Sequence, residues 1–109
     1  MDEHHLKLLK ELSQDQTLSQ RELSKKLDLS LGKINYLVNA LLDKGLVKTE
    51  RFINARNKLA YMYILTPAGI SMKAKLTYSF LKRKMGEYDA LKLEIEELKK
   101  EMDSIKNGK

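Results

Sequence analysis

The stretch SLGKINYLVNALLDKGLV, from Ser30 to Val47, decides the fold of this chain. Its apolar residues recur at spacings of three and four, which is the period of a helix with one buried face. Ser30 is suited to cap the start of this helix, and Gly45 stands where a left-handed C-terminal cap is expected. The stretch therefore predicts a helix over about residues 30–44, with a buried apolar face and a polar outer edge.

Two further helices are predicted before this one. The first helix is predicted from Asp2 to about Ser13, because Leu6, Leu9 and Leu12 recur at every third position and form a stripe along one side. Ser19 and Glu22 match a capping box, in which each side chain bonds the other residue's backbone amide, and they begin the second helix. Only about three residues, around Asp28, separate the second helix from the third, and turns of this size occur in helix-turn-helix units.

A β-hairpin is predicted after the third helix, because the hydrophobic period changes there. The segments LVKTERFI and LAYMYIL are rich in β-branched and aromatic residues, and the polar turn NARNK lies between them. The hairpin would carry a basic tip, or wing, at residues 53–58. Val47 and Tyr63 suggest that one face of the hairpin is buried, whereas Phe52 and Ile64 suggest the other, and the sequence leaves this open.

A last, long helix is predicted from Thr66, a hydroxyl cap, and Pro67, which suits the first helical position. Nothing forces it to stop before about Lys106, so it would run about 40 residues and on the order of 60 Å. The predicted class is mainly α with a small β-hairpin. We expect a winged helix-turn-helix domain at residues 1–66 and a long C-terminal coiled-coil dimerisation helix at residues 67–109.

The far half of the last helix carries a heptad pattern. The apolar seam consists of Leu81, Tyr88, Leu91, Ile95, Leu98, Met102 and Ile105. Glutamates flank the seam on one side and lysines on the other, among them Glu87, Glu94, Lys92 and Lys99. In a parallel homodimer each glutamate meets a lysine of the partner, whereas antiparallel pairing opposes like charges. We therefore predict a parallel homodimer; the alternatives are a helix docked on its own domain and a solvated charged tail.

The outer edge of the third helix carries a set of candidate DNA-binding residues. These are Ser30, Gly32, Lys33, Asn35, Tyr36 and Asn39. In a winged helix-turn-helix the second helix of the pair enters the major groove, where asparagine matches the edge of adenine and lysine reaches phosphate or guanine. Gly32 removes a side chain where the backbone would come closest to DNA. The alternative is a set of ordinary solvated polar residues.

The hairpin tip and the overall charge point to the same partner. The tip adds Arg56, Asn57 and Lys58, with Arg51 close behind, and a wing arginine can enter a narrow minor groove or clamp phosphate. The net charge of +6 favours an anionic partner, nucleic acid first and a membrane surface second. We predict binding to double-stranded DNA. The alternative is a protein-interaction adaptor whose winged helix binds protein and whose coil joins a hetero-complex.

Other classes of function find little support in the sequence. The chain has no cysteine, which excludes disulfides and cysteine-ligated metal sites. No constellation of histidines or paired carboxylates suggests catalysis, so we predict no enzyme activity, metal or cofactor. No apolar run approaches the roughly 20 residues that span a bilayer, and the start MDEHHLKLLK does not resemble a signal peptide. We therefore expect a cytoplasmic protein without membrane contact.

The segments SLGKINY, LTPAG and FLKRKMGEYDAL carry a family resemblance. With the wing NARNK, they resemble the MarR family, and within it the small branch of regulators associated with exopolysaccharide biosynthesis loci. The resemblance covers nearly the whole chain and implies a bacterial, homodimeric transcription regulator that binds operator DNA and controls exopolysaccharide genes. Typical members dimerise through helices from both ends of the chain and hold effectors between them. Because the first helix begins almost at Met1, we expect no small-molecule effector and a dimer contact carried mainly by the C-terminal helix.

Overall fold

The computed structural model describes residues 1–108. Its elements are α1 (Glu3–Gln14), α2 (Gln20–Leu27), α3 (Leu31–Asp43), β1 (Val47–Ile53), β2 (Leu59–Leu65) and α4 (Pro67–Lys106). This order of helices, a two-stranded antiparallel hairpin and a long last helix confirms the predicted winged helix-turn-helix fold class. The chain forms two compact units, Met1–Thr77 and the part from Tyr78 onward, so their boundary lies inside α4.

The predicted caps of α2 and α3 are confirmed. Ser19 Oγ accepts a hydrogen bond from the backbone N–H of Glu22 at 3.1 Å, and Glu22 Oε1 accepts one from the backbone N–H of Ser19 at 3.2 Å. Ser30 Oγ accepts from the backbone N–H of Lys33 at 3.1 Å. Gly45 has a φ of 68°, the left-handed conformation expected after the end of α3. Local sequence signals therefore set both ends of the helix on which the candidate site stands.

The core of the first unit is aliphatic and centred on α3. Its buried side chains are Leu8, Leu9, Leu12, Leu18, Leu23, Ile34, Leu37, Val38, Leu41, Leu46 and Val47. The four that α3 supplies are each at most 1% exposed. Because they recur at helical spacing, they fix the rotation of α3 about its own axis and direct its opposite edge to solvent.

The hairpin buries the face that contains Val47 and Tyr63. Cross-strand pairs place Val47 opposite Leu65 and Thr49 opposite Tyr63. Val47 belongs to the core, and Tyr63 and Leu65 pack against it. The structure thus settles which of the two faces suggested by the sequence packs on the helices, because opposite residues of an antiparallel pair point to the same side of the sheet.

The start of α4 is tied to the turn that follows α3. Thr66 Oγ1 accepts from the backbone N–H of Gly69 at 3.1 Å, which confirms the predicted cap, and donates to the carbonyl oxygen of Gly45 at 2.6 Å. The backbone N–H of Thr66 donates to Leu46 O at 3.0 Å. A Cβ on Gly69 would lie only 1.9 Å from Leu46 O, so this contact requires glycine.

The second unit is a helix whose apolar seam is open to solvent. The seam residues predicted from the heptads are between 43% and 66% exposed: Leu81, Tyr88, Leu91, Ile95, Leu98, Met102 and Ile105. A single chain therefore leaves this stripe without apolar contacts across the seam. The part of the chain that the structure describes contains no helix long and apolar enough to cross a membrane.

Candidate nucleic-acid interface

The outer edge of α3 is an exposed polar strip opposite the core. Four of the six residues predicted for this edge share that strip and are exposed: Gly32, Asn35, Tyr36 and Asn39. Ser30 lies at the N-cap and is exposed, and its hydroxyl oxygen accepts the backbone N–H of Lys33, the third residue of α3. Asp43 is the acidic residue that closes the strip at the C-terminal end of α3. The strip itself therefore carries amides, a phenol and an open glycine position.

Lys33 differs from the others, because it lies on the flank of α3 and is half-buried. Its Nζ stands 5.4 Å from the centre of the Tyr36 ring, in the range of a cation–π contact. The Tyr36 side chain is 65% exposed. The two side chains thus form one unit, in which the ammonium group is held beside the strip and the phenol projects from it.

Gly32 leaves open space that the fold does not require. A Cβ added there would meet no atom within 4 Å, and the backbone is ordinary helix. Glycine inside a helix is less stable than alanine by about 1 kcal/mol, so the free protein gains nothing from it. Gly32 and Asn35 line two adjoining open hollows, one bounded by Gln20 and Arg21 of α2 and the other by Tyr36 and its neighbours along α3.

The amides of the strip are joined in a chain of side-chain hydrogen bonds. Asn39 Nδ2 donates to Asn35 Oδ1 at 3.1 Å, and Asn35 Nδ2 donates to Gln20 Oε1 at 3.3 Å. Gln20 Nε2 then donates to the Tyr63 hydroxyl oxygen at 3.1 Å. This amide chain, Asn39–Asn35–Gln20–Tyr63, connects α3 with the first residue of α2 and with β2. Sequence reasoning missed Gln20 and Tyr63 here, because their contact joins residues 43 positions apart.

The hairpin tip is a structured turn with free cationic side chains. Asn54 Oδ1 accepts from the backbone N–H groups of Arg56 at 2.9 Å and Lys58 at 3.1 Å. Asn57 takes a left-handed conformation with φ 57°. Within residues 1–108 the side chains of Arg56 and Lys58 make no ion pair, and both residues are exposed. The turn therefore holds the backbone while the two charges remain available to an anion.

Arg51 is held further down the same hairpin by an aromatic neighbour. Its guanidinium carbon lies 5.6 Å from the centre of the Tyr61 ring, and its Nη2 is 3.5 Å from the Tyr61 hydroxyl oxygen. Lys48, by contrast, is already paired with Glu50 at 3.3 Å. The free positive charge of the hairpin is thus concentrated at Arg51 and toward the tip.

The perturbed carboxyls belong to α1 and the loop after it, not to the strip. A hydrogen bond from the His5 side chain lowers the pKa of Asp2 to about 2, and hydrogen bonds from Thr17 lower the pKa of Asp15. Within the described part of the chain, no group of three or more histidines and carboxylates could hold a metal ion. The strip and the hairpin tip offer hydrogen bonding and positive charge, which are the two contributions that nucleic-acid recognition needs.

Comparisons with known proteins agree with the winged helix-turn-helix fold. Residues 1–48 match the family model described as winged helix-turn-helix DNA-binding. The chain is also similar to a regulator of the MarR/EmrR family from Acinetobacter sp. ADP1, with 18% identity, coverage of 95% of this chain and 78% of that one, and a TM-score of 0.62. No curated protein matches the chain significantly.

Two further similar structures are of MepR from Staphylococcus aureus. The MepR–DNA complex shows 25% identity over 76% of this chain, with a TM-score of 0.60. A second structure is of MepR as a transcription regulator of the multidrug efflux pump MepA. It shows 22% identity over 82% of this chain, with a TM-score of 0.61. The chain spans 57% and 64% of those MepR chains. The predicted likeness to MarR-family regulators is therefore confirmed at the level of the fold.

Proposed function

We propose that this chain is a MarR-family transcription regulator that binds duplex DNA in a sequence-specific way as a homodimer. The observation that carries the proposal is the exposed strip of α3, where two asparagines, a tyrosine and an unneeded glycine stand opposite a fully buried aliphatic face. Solubility alone would not call for glycine at an open position in a helix. The match of residues 1–48 to a winged helix-turn-helix DNA-binding model supports the proposal.

In this proposal α3 enters the major groove. Asn35 and Asn39 face base edges, since an amide offers the donor and acceptor that adenine requires. Tyr36 contacts a phosphate or a thymine methyl group, and Lys33 reaches phosphate from the flank. Ser30 lies at the helix N-terminus, where backbone N–H groups favour an anion. The similarity to MepR, a structure of which holds DNA, supports DNA as the partner.

The hairpin tip would lie on the adjacent groove or backbone. Arg51, Arg56, Asn57 and Lys58 supply its contacts, of which the arginines are suited to a narrow minor groove or to phosphate. These contacts position the protein more than they read sequence. Affinity should therefore fall steeply as salt concentration rises, since each phosphate contact releases a counterion.

Dimerisation would take place through α4. The solvent-open seam from Leu81 to Ile105 supplies the apolar contacts, and burying it against a second copy removes that surface from water. Glu87 is paired with Lys84 of its own helix at 3.2 Å. Glu94 and Lys99 make no ion pair within the described residues. The pair between Glu94 of one copy and Lys99 of the other is therefore the better test of a parallel arrangement.

The proposal for the regulated genes rests on the family resemblance of three sequence segments. The segments SLGKINY, LTPAG and FLKRKMGEYDAL resemble the exopolysaccharide-associated branch of the family, so we propose exopolysaccharide genes as targets. Mapping of the genomic fragments that the protein retains tests this. Fragments upstream of such genes are expected, and enrichment restricted to unrelated loci would contradict this part of the proposal.

A protein-interaction adaptor is the competing function. One observation favours it: Ile53 and Leu59 are paired near the hairpin tip and are 69% and 63% exposed, which would suit an apolar partner. Selection from a pool of randomised duplexes separates the two functions. A regulator enriches sequences with two related half-sites about 10 base pairs apart, whereas an adaptor retains no duplex even at low ionic strength.

A further inference from the structure

We infer that Gln20 and Tyr63 are positioning residues for base recognition, because they set the direction in which the Asn39 amide presents its donor and acceptor. The inference rests on the proposed function and goes beyond it by naming residues outside the strip. It depends on the amide chain, which begins at Asn39 and ends at the Tyr63 hydroxyl.

The amide chain has one polarity throughout. At each step an amide nitrogen donates to the side-chain oxygen of the next residue toward Tyr63: Asn39 to Asn35, Asn35 to Gln20, and Gln20 to Tyr63. Asn35 is therefore held at both its nitrogen and its oxygen. Asn39 stands at the free end, with its Oδ1 and its second N–H making no hydrogen bond within the described residues.

The far end of the chain is firmly anchored. Tyr63 packs against the aliphatic core, and its backbone N–H donates to Gln16 O at 3.2 Å, which ties β2 to the loop before α2. Gln20 is the first residue of α2, directly after the Ser19 cap, and is half-buried. The Tyr63 hydroxyl and the start of α2 therefore fix the position of the Gln20 amide. Because a hydroxyl can accept or donate, the polarity of the chain is carried by the orientation of Gln20 itself, whose nitrogen faces Tyr63.

Polarity matters because the two ends of an amide differ chemically but hardly in shape. Adenine presents an N6 donor beside an N7 acceptor, so a reading amide must place its oxygen toward N6 and its nitrogen toward N7. Rotation by half a turn exchanges the two and opposes acceptor to acceptor. Packing cannot select between these orientations, whereas hydrogen bonding can. In the orientation that the structure shows, the Gln20 oxygen faces Asn35, and this orientation is passed on to Asn39.

Two substitutions at Gln20 separate polarity from charge. In Gln20→Glu the carboxylate has only acceptors, so it can accept from Asn35 Nδ2 and from the Tyr63 hydroxyl and preserve the polarity. In Gln20→Lys the ammonium has only donors, so Asn35 must turn its oxygen toward it. Charge alone makes Gln20→Lys the stronger binder and Gln20→Glu the weaker one, since lysine attracts phosphate and glutamate repels it. Polarity predicts the opposite order for discrimination between adenine and its analogue.

The test uses duplexes enriched from a randomised pool by the wild-type protein. Each is compared with the same duplex carrying, at one adenine, an analogue that lacks the N7 acceptor. We expect Gln20→Glu to bind all duplexes more weakly but to keep the wild-type discrimination between adenine and its analogue. We expect Gln20→Lys to bind random duplex at least as tightly as the wild type but to lose about fivefold or more of that discrimination.

A hydroxyl deletion provides a second, conservative variant. Tyr63→Phe keeps the ring packing and removes the acceptor for Gln20, so it should lose part of the adenine discrimination without changing the salt dependence of binding. The matched control is Tyr78→Phe, since Tyr78 is 69% exposed and its hydroxyl makes no hydrogen bond within residues 1–108. This control should leave the discrimination unchanged.

The outcomes separate the inference from the proposed function. Wild-type discrimination retained in both Gln20→Lys and Tyr63→Phe would overturn the positioning role while leaving DNA binding intact. Equal loss of discrimination in Gln20→Glu and Gln20→Lys would also overturn it, because polarity would then not be the cause. Failure of the wild type to retain any duplex would overturn the proposed function and this inference with it.

Discussion

At the scale of single residues, Gly32 and Gly69 illustrate two different reasons for a glycine. Gly69 lies where a Cβ would stand 1.9 Å from Leu46 O, so the packing of α4 requires it. Gly32 lies where a Cβ would meet nothing within 4 Å, so the free protein does not. A glycine that the fold does not use is explained if a ligand must approach the backbone closely.

Gly32→Ala should therefore have opposite effects on stability and binding. We expect the free energy of unfolding to rise by up to about 1 kcal/mol, because alanine is the better helix former. Affinity for duplex DNA should fall, because the new methyl group occupies space next to the groove. Urea denaturation and fluorescence anisotropy with a labelled duplex measure the two quantities. Unchanged affinity in the stabilised variant would show that the open position serves no bound partner.

Gly69→Ala is the contrasting substitution at a required glycine. The clash with the Leu46 carbonyl should lower the free energy of unfolding by about 1–3 kcal/mol, the range for overpacked sites. The same urea denaturation measures it. Stability equal to that of the wild type would mean that the start of α4 is not held against the turn after α3.

Charge at the hairpin tip gives a separate residue-scale prediction. Arg56→Ala should weaken binding to all duplexes to a similar degree and reduce the slope of log affinity against log salt by about 1, the value for one lost phosphate contact. The matched control is Lys48→Ala on the same hairpin, where the ammonium is already paired with Glu50. A salt slope unchanged in Arg56→Ala would remove this residue from the interface, and Lys33→Ala allows the same analysis on α3.

At the level of helices and strands, the features that the sequence predicts are those that depend on residues close together in the chain. The caps at Ser19 and Ser30 and the left-handed Gly45 use signals within one helical turn, and all are confirmed. The buried face of the hairpin was left open by the sequence, because it depends on how β1 and β2 meet the helices. The amide chain through Gln20 and Tyr63 was missed for the same reason, since it needs two distant segments in register.

The long helix α4 yields the element-scale prediction. Glu94→Lys alone and Lys99→Glu alone should each weaken the dimer, because each places like charges opposite one another in a parallel pair. The double substitution should restore it, since the charges are again complementary. Sedimentation equilibrium measures the association. An exposed pair contributes only about 0.2–1 kcal/mol, so low ionic strength is the appropriate condition.

A different pattern would revise the arrangement of α4. If each single substitution left association unchanged, the two side chains would not face each other across the seam. A wild-type chain that sediments as a monomer at micromolar concentration would contradict the coiled coil altogether. The solvent-open seam would then need another apolar partner.

At the level of the whole molecule, the surface proposed to bind DNA and the surface proposed to bind a second copy lie in different compact units. The strip of α3 belongs to the first unit and the seam to the second. In a symmetric dimer both copies present the same strip, so the bound sequence should have matching two-fold symmetry. If the distance between the two copies of α3 in the dimer is fixed, the protein should bind only duplexes whose half-sites are separated by the matching distance.

Insertion of base pairs between the half-sites tests this directly. Adding about five base pairs, half a helical turn, places the second half-site on the opposite side of the duplex and should reduce affinity to that of a single half-site. Electrophoretic mobility shift with the enriched duplex and its lengthened form measures the change. Equal affinity for both would mean that each α3 binds independently of its partner.

The central claim is that two copies of α3 occupy successive major grooves. Interference mapping tests it most directly, with modification of individual major-groove atoms on the enriched duplex and wild-type protein as the binder. The account predicts two clusters of interfering positions about 10 base pairs apart on one side of the duplex. Interference confined to the minor groove or to phosphates, with no major-groove cluster, would contradict it.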